Sequence, residues 1–168
     1  LSLQALLSIL LQFLVHIGAI LTATEAALLF ADPFDPSLVP DGPFNPNTLN
    51  TCTFLLTCLA TINTFAVNYR GRPFMQDLRE NKMLYKSLLV CYGCLAVCTL
   101  QVFPPLNDLL QLSLLPEVED CHSEAKESLL VKVISILDFP VFMAGLMVLD
   151  TMLLCRITRT DIVLKQYT

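Results

Sequence analysis

The stretch Tyr69–Lys86 reads Y-R-G-R-P-F-M-Q-D-L-R-E-N-K-M-L-Y-K, basic and broken by Gly71 and Pro73. Two runs without a single Asp, Glu, Lys or Arg flank it, Thr48–Tyr69 before and Ser87–Asn107 after. A hydrocarbon core needs about 20 apolar residues to be crossed by a helix, and each run meets that length. Leu1–Ala23 is a third such run; Val133–Cys155 is a fourth, equally apolar but carrying Asp138 and Asp150. The reading is an all-α integral membrane four-helix bundle in one domain, residues 1–168, with spans at about 1–23, 48–69, 87–107 and 133–155. Hydrophobic residues at 55% and charged residues at 15% depart from soluble composition in the same direction.

Charge placement orients the bundle. Residues 24–47 hold Glu25, Asp32, Asp35 and Asp41 and no base, and Pro104–Leu129 holds six acids against Lys126 alone. The link 70–86 instead carries Arg70, Arg72, Arg79, Lys82 and Lys86 against Asp77 and Glu80, and the tail 156–168 carries Arg156, Arg159 and Lys165 against Asp161. Short basic loops are retained in the cytosol, so link and tail, including the C-terminus, are expected to be cytosolic. Loops 24–47 and 108–132 are then luminal. Five prolines within 32–47 make that loop extended or turn-rich, and a short interfacial helix is expected at Leu106–Leu115. With no initiator Met and no signal-peptide pattern ahead of Leu1, the chain reads as a C-terminal piece of something larger.

Intramembrane polar residues are the candidate sites. Asp138 and Asp150 would each cost roughly 2.5–3.5 kcal/mol at mid-membrane, so each needs a partner or water. Twelve positions place them about 120° apart on one helix, which rules out a shared ion-binding face. Asp138 is expected near the luminal end, where the helix N-terminus favours a negative charge, with Pro140 loosening the helix beside it. Gln12, His16, Asn63 and Asn68 read as interhelical hydrogen-bonding groups. Cys91, Cys94 and Cys98 share a helical face, but their span offers no His or acid to complete a metal site. Cys121-His122 is an isolated pair, and seven cysteines give no disulfide framework. The bases of the link either anchor the cytosolic leaflet or dock a catalytic domain.

Phe65-Ala66-Val67-Asn68-Tyr69-Arg70-Gly71-Arg72-Pro73-Phe74-Met75, followed by Leu78 and Glu80-Asn81-Lys82, resembles the link between the eighth and ninth membrane helices of type V P-type ATPases, subgroup A. Leu11-Gln12-Phe13-Leu14-Val15-His16 is similar to part of the family's seventh helix and Leu137-Asp138-Phe139 to part of its tenth. Phe-Met with a following Glu-Asn-Lys separates the link from subgroup B, which carries Phe-Arg and Tyr-x-Asn. Pro40–Leu49 departs from the family as an insertion of about ten residues, a change surface loops tolerate.

The resemblance implies a C-terminal support segment of an ATP-driven transporter that dislocates mistargeted transmembrane helices from the endoplasmic reticulum membrane. Its implied partners are the lipid bilayer, the parent's remaining helices and cytosolic domains, and client transmembrane helices, with no nucleic acid. ATP and Mg2+ would belong to the parent, because none of the family's D-K-T-G, ATP-binding or T-G-E-type sequences occurs in these 168 residues. The segment by itself is therefore expected to be no enzyme, and to hold no cofactor or metal. Two alternatives stand beside this: a fragment of a cation or polyamine pump, and an independent four-span scaffold.

Overall fold

In the computed structural model the chain is all-helical over the described residues, 3–31, 42–43, 45–73, 75–117 and 129–166. Six helices follow in order: α1 Leu3–Leu28, α2 Thr48–Asn68, α3 Lys82–Thr99, α4 Pro104–Leu109, α5 Leu129–Leu137 and α6 Phe139–Gln166. By length and composition, α1, α2, α3 and the Phe139–Thr160 part of α6 can each cross a membrane. The most extensive pairings are of α1 with α2 and of α1 with α6; α2 also meets α3 and α6. α1 and α6 run in opposite directions, with Gln4–Leu11 beside Arg156–Thr160 and Gly18–Thr22 beside Leu146.

Small side chains make the close contacts. Ala19, Ala23, Ala26 and Ala27 form much of the buried face of α1 and meet Cys52, Leu55, Leu56 and Leu59 of α2 in a common core. Between membrane helices, short side chains let backbones approach and gain dispersion contact. Phe139 and Met143 are fully buried in the same core, and Phe30 meets Phe139 edge to face at 5.5 Å. The other faces carry exposed Leu6, Leu10, Phe13, Leu14, Leu21, Val90, Val148 and Met152, a surface suited to hydrocarbon rather than water.

Several boundaries differ from the sequence expectation: α1 runs on to Leu28, past the expected end at about 23, and α6 to Gln166, past the expected end at about 155. α3 begins at Lys82, inside the segment expected to be link, because the Asn81 side chain accepts the Leu84 amide at 3.1 Å and caps the helix. It ends at Thr99 rather than near Asn107: Gln101 takes φ 53°, and Pro104-Pro105 open a separate short helix. That helix is α4, Pro104–Leu109, so the amphipathic helix expected at Leu106–Leu115 is shorter and begins earlier. The expected fourth span is broken at Asp138, which takes φ 62° between α5 and α6. Asp is one of the few residues that tolerate this left-handed conformation. Its amide still donates to Ile134 at 2.8 Å and its carbonyl accepts from Phe142 at 2.9 Å. The interruption thus falls two residues before Pro140, which sits in the first turn of α6 where its missing N–H costs nothing.

Candidate functional site

His16 on α1, Asn63 on α2 and Asp150 on α6 converge inside the bundle, each at most 9% exposed. Their sequence separations are large, yet their helical stripes align. Ser8, Gln12 and His16 recur every four residues and present one buried polar line on α1. Asp150 closes the site from α6: its Oδ1 lies 3.0 Å from His16 Nδ1, and its Oδ2 accepts from Asn63 Nδ2 at 2.9 Å. The two carboxylate oxygens thus take one partner each, from α1 and from α2.

The remaining groups complete the pairing. Asn63 Nδ2 also donates to Thr151 Oγ1 at 2.9 Å, and its Oδ1 accepts from the Tyr92 hydroxyl of α3 at 2.6 Å. His16 Nε2 meets Thr64 Oγ1 at 3.2 Å. One turn along α1, Gln12 and Asn68 exchange two amide hydrogen bonds, at 2.7 and 3.3 Å, and Gln12 also donates to Ser8. Four helices are therefore joined by one network. A buried carboxylate is costly unless its oxygens have hydrogen-bond partners, and each Asp150 oxygen has one.

Asp138 has the opposite setting. It is exposed, away from the network, and lines a cavity of about 420 Å3 with Gln101, Leu115, Pro116, Glu117, Phe139 and Pro140. The break before α6 releases it from the helix interior in which the sequence placed it, so no mid-helix penalty applies. Cys91 and Cys94 are exposed on α3 while Cys98 is buried, and among the described residues no group of three or more His, Cys, Asp and Glu could hold a metal. Cys121 and His122 lie outside the described residues.

The link folds into a tight turn. Met75 N donates to the Gly71 carbonyl at 2.6 Å, and the Tyr69 hydroxyl donates to the Gln76 carbonyl at 2.9 Å. A Cβ on Gly71 would lie 2.2 Å from that same Gln76 oxygen, so only glycine fits. Arg72 pairs with both Asp77 and Glu80, which occupies the two acids of the link, while Asn81 caps α3. Pro73 follows Arg72 in this turn, Leu78 is half-buried, and Met75, Glu80 and Lys82 are exposed. Phe74 lies outside the described residues.

Sequence reasoning did not single out Tyr92, Thr64, Thr151, Ser8 or Asn107. A tyrosine in mid-span needs a hydroxyl partner, which was the available signal for Tyr92. Asn107 is buried close to Pro104-Pro105 in sequence and donates at 3.2 Å to the Cys98 carbonyl at the end of α3, which also accepts from the Gln101 amide at 3.3 Å.

No protein-family model matches the chain. It is 39% identical over 106 residues to the endoplasmic reticulum transmembrane helix translocase of Schizosaccharomyces pombe, covering 62% of this chain and 9% of that protein. With the translocase of the same name from Saccharomyces cerevisiae it shares 35% over 104 residues, 62% of this chain and 8% of that one. The probable manganese-transporting ATPase PDR2 of Arabidopsis thaliana matches at 34% over 116 residues, 69% of this chain and 10% of the relative. The chain spans about a tenth of the length of the curated relatives it matches. Because identity at this level runs through most of a membrane bundle rather than through one motif, the chain belongs to the type V P-type ATPase family.

Proposed function

We propose that these helices are the seventh to tenth membrane helices of a subgroup A enzyme and form its C-terminal membrane brace. The parent would extract misplaced transmembrane helices from the endoplasmic reticulum membrane at the expense of ATP, with ATP and Mg2+ held by cytosolic domains outside these 168 residues. The buried His16–Asp150–Asn63–Tyr92 network carries the reading. It ties α1, α2, α3 and α6 at one level, with the polar groups of His16, Asn63 and Asp150 turned to one another. A bundle joined this way resists shear between its helices, which suits an element against which other helices move. In this reading the link 70–86 and the tail 156–168 face the cytosol, and loops 24–47 and 108–132 face the lumen. Polar contacts at Gln12, His16, Asn63, Asn68 and Asp150 are structural, and Asp138 lies at the luminal rim.

The test uses the full-length protein with Asp150→Asn, which keeps one of the two carboxylate hydrogen bonds and removes the charge. Abundance, phosphoenzyme and client-helix extraction are measured together. A brace predicts that phosphoenzyme and extraction fall only in proportion to abundance. Normal abundance and phosphorylation with extraction abolished would place Asp150 in the substrate path and end the brace reading. Orientation is checked by a single cysteine at Met75, which should label from the cytosol. Gly71 is unsuitable for such a probe because any side chain there collides with Gln76.

A further inference from the structure

A groove of about 380 Å3 runs between the first turns of α1 and the Arg156–Thr160 turn of α6, and of the network above only Ser8 lines it. Leu7, Leu11 and Ile157 give it apolar walls, and Gln4, Ser8, Arg156 and Thr160 also line it. Its volume lies within the range of small-molecule sites, about 300–1,000 Å3. Arg156 is the first base after the apolar run that ends at Cys155, so it stands where hydrocarbon gives way to headgroups. Among the described residues no carboxylate pairs with it. This is also the end of the bundle where Gln12 bonds Asn68, next to the basic segment that begins at Tyr69.

We propose that this groove binds one glycerophospholipid, its phosphate on the Arg156 guanidinium and one acyl chain along Leu7, Leu11 and Ile157. The pattern is that of an amphiphile. A cation with no acidic partner among the described residues stands where the apolar run ends, Gln4 and Thr160 line the same groove, and Leu7, Leu11 and Ile157 give it apolar walls. A guanidinium presents several donors in a planar fork that suits phosphate oxygens, and it is attracted to the anionic leaflet as well. A further transmembrane helix would fill the trough but would leave the guanidinium unmatched unless it carried an acid at that level. The proposal depends on where α6 sits in the membrane and not on the parent's substrate.

The experiment reconstitutes the full-length protein into phosphatidylcholine nanodiscs containing a minor fraction of phosphatidylcholine with a diazirine on one acyl chain. Photolabelled peptides are then mapped by mass spectrometry. Labelling should concentrate on Leu7, Leu11 and Ile157 over the outward Leu6 and Leu10, and should fall about fivefold in Arg156→Gln while Arg159→Gln leaves it unchanged. A diazirine diacylglycerol, which lacks phosphate, should label the groove weakly in every variant. Equal labelling of groove and outward faces, insensitivity to Arg156→Gln, or equal labelling by diacylglycerol would overturn the proposal. A cysteine at Leu11 that crosslinks to another helix of the same protein would overturn it too, by showing a protein segment in the trough. Phosphoenzyme measured on the same samples separates this outcome from failure of the brace reading, since loss of lipid labelling leaves that signal untouched.

Discussion

Asp150 and Asp138 lie twelve residues apart in one apolar run, yet the bundle treats them in opposite ways. Asp150 is 3% exposed and accepts hydrogen bonds from two other helices; Asp138 stands at a helix break, exposed, beside a polar cavity. The difference teaches that the cost of an intramembrane acid is met by whichever route the neighbours permit. Where α1 and α2 bring an imidazole and an amide to the same level, the charge stays buried and becomes a joint between helices. Where no such groups lie opposite, the backbone leaves the helix and the carboxylate goes to the rim.

Removing the joint should have the largest effect. Asp150→Leu strands His16 and Asn63, and breaking one side of a buried pair costs about 3–5 kcal/mol. The full-length protein should fall to low abundance, and a lowered thermal midpoint in detergent would register it. Gly71→Ala comes next, since its Cβ must displace the Gln76 carbonyl; overpacking of this kind costs roughly 1–3 kcal/mol. Faster proteolysis of the 70–81 link is the readout. Tyr92→Phe deletes one hydroxyl from the network and should cost about 0.6–1.7 kcal/mol, the range for single hydrogen bonds between membrane helices. Asp138→Asn should be the mildest, within about 0.5 kcal/mol, as for an exposed substitution. If Asp138→Asn destabilised as much as Asp150→Leu, the contrast between the two acids would collapse.

Much of the architecture was legible before the structure. Three charge-free runs of membrane length became α1, α2 and α3, and the fourth apolar run, with its two acids, became most of α6, because hydropathy averages over whole spans and is insensitive to single residues. That same averaging hid the local events. It could not register that Asp138 would take a left-handed conformation, or that Gln101 and Pro104-Pro105 would turn the chain eight residues before the apolar run ended. Gln12, His16, Asn63, Asn68 and Asp150 could be named as polar groups seeking partners. Which partners they found depended on helix rotation, and His16 meets a residue 134 positions away. Tyr92 and Thr64 were passed over because each is unremarkable in its own helix and matters only through what stands opposite.

The central claim is that His16 and Asp150 act as one unit, and a double-mutant cycle in the full-length protein tests it most directly. Stabilities of His16→Leu, Asp150→Leu and the double variant are compared with the parent by thermal unfolding in one detergent. Residues sharing a network show coupling of about 0.5–3 kcal/mol, and a buried pair with both partners satisfied should lie in the upper half of that range, the double variant being little worse than the poorer single one. Losses that add to within about 0.5 kcal/mol would contradict the account, because two independent side chains cannot be the joint that holds α1 to α6.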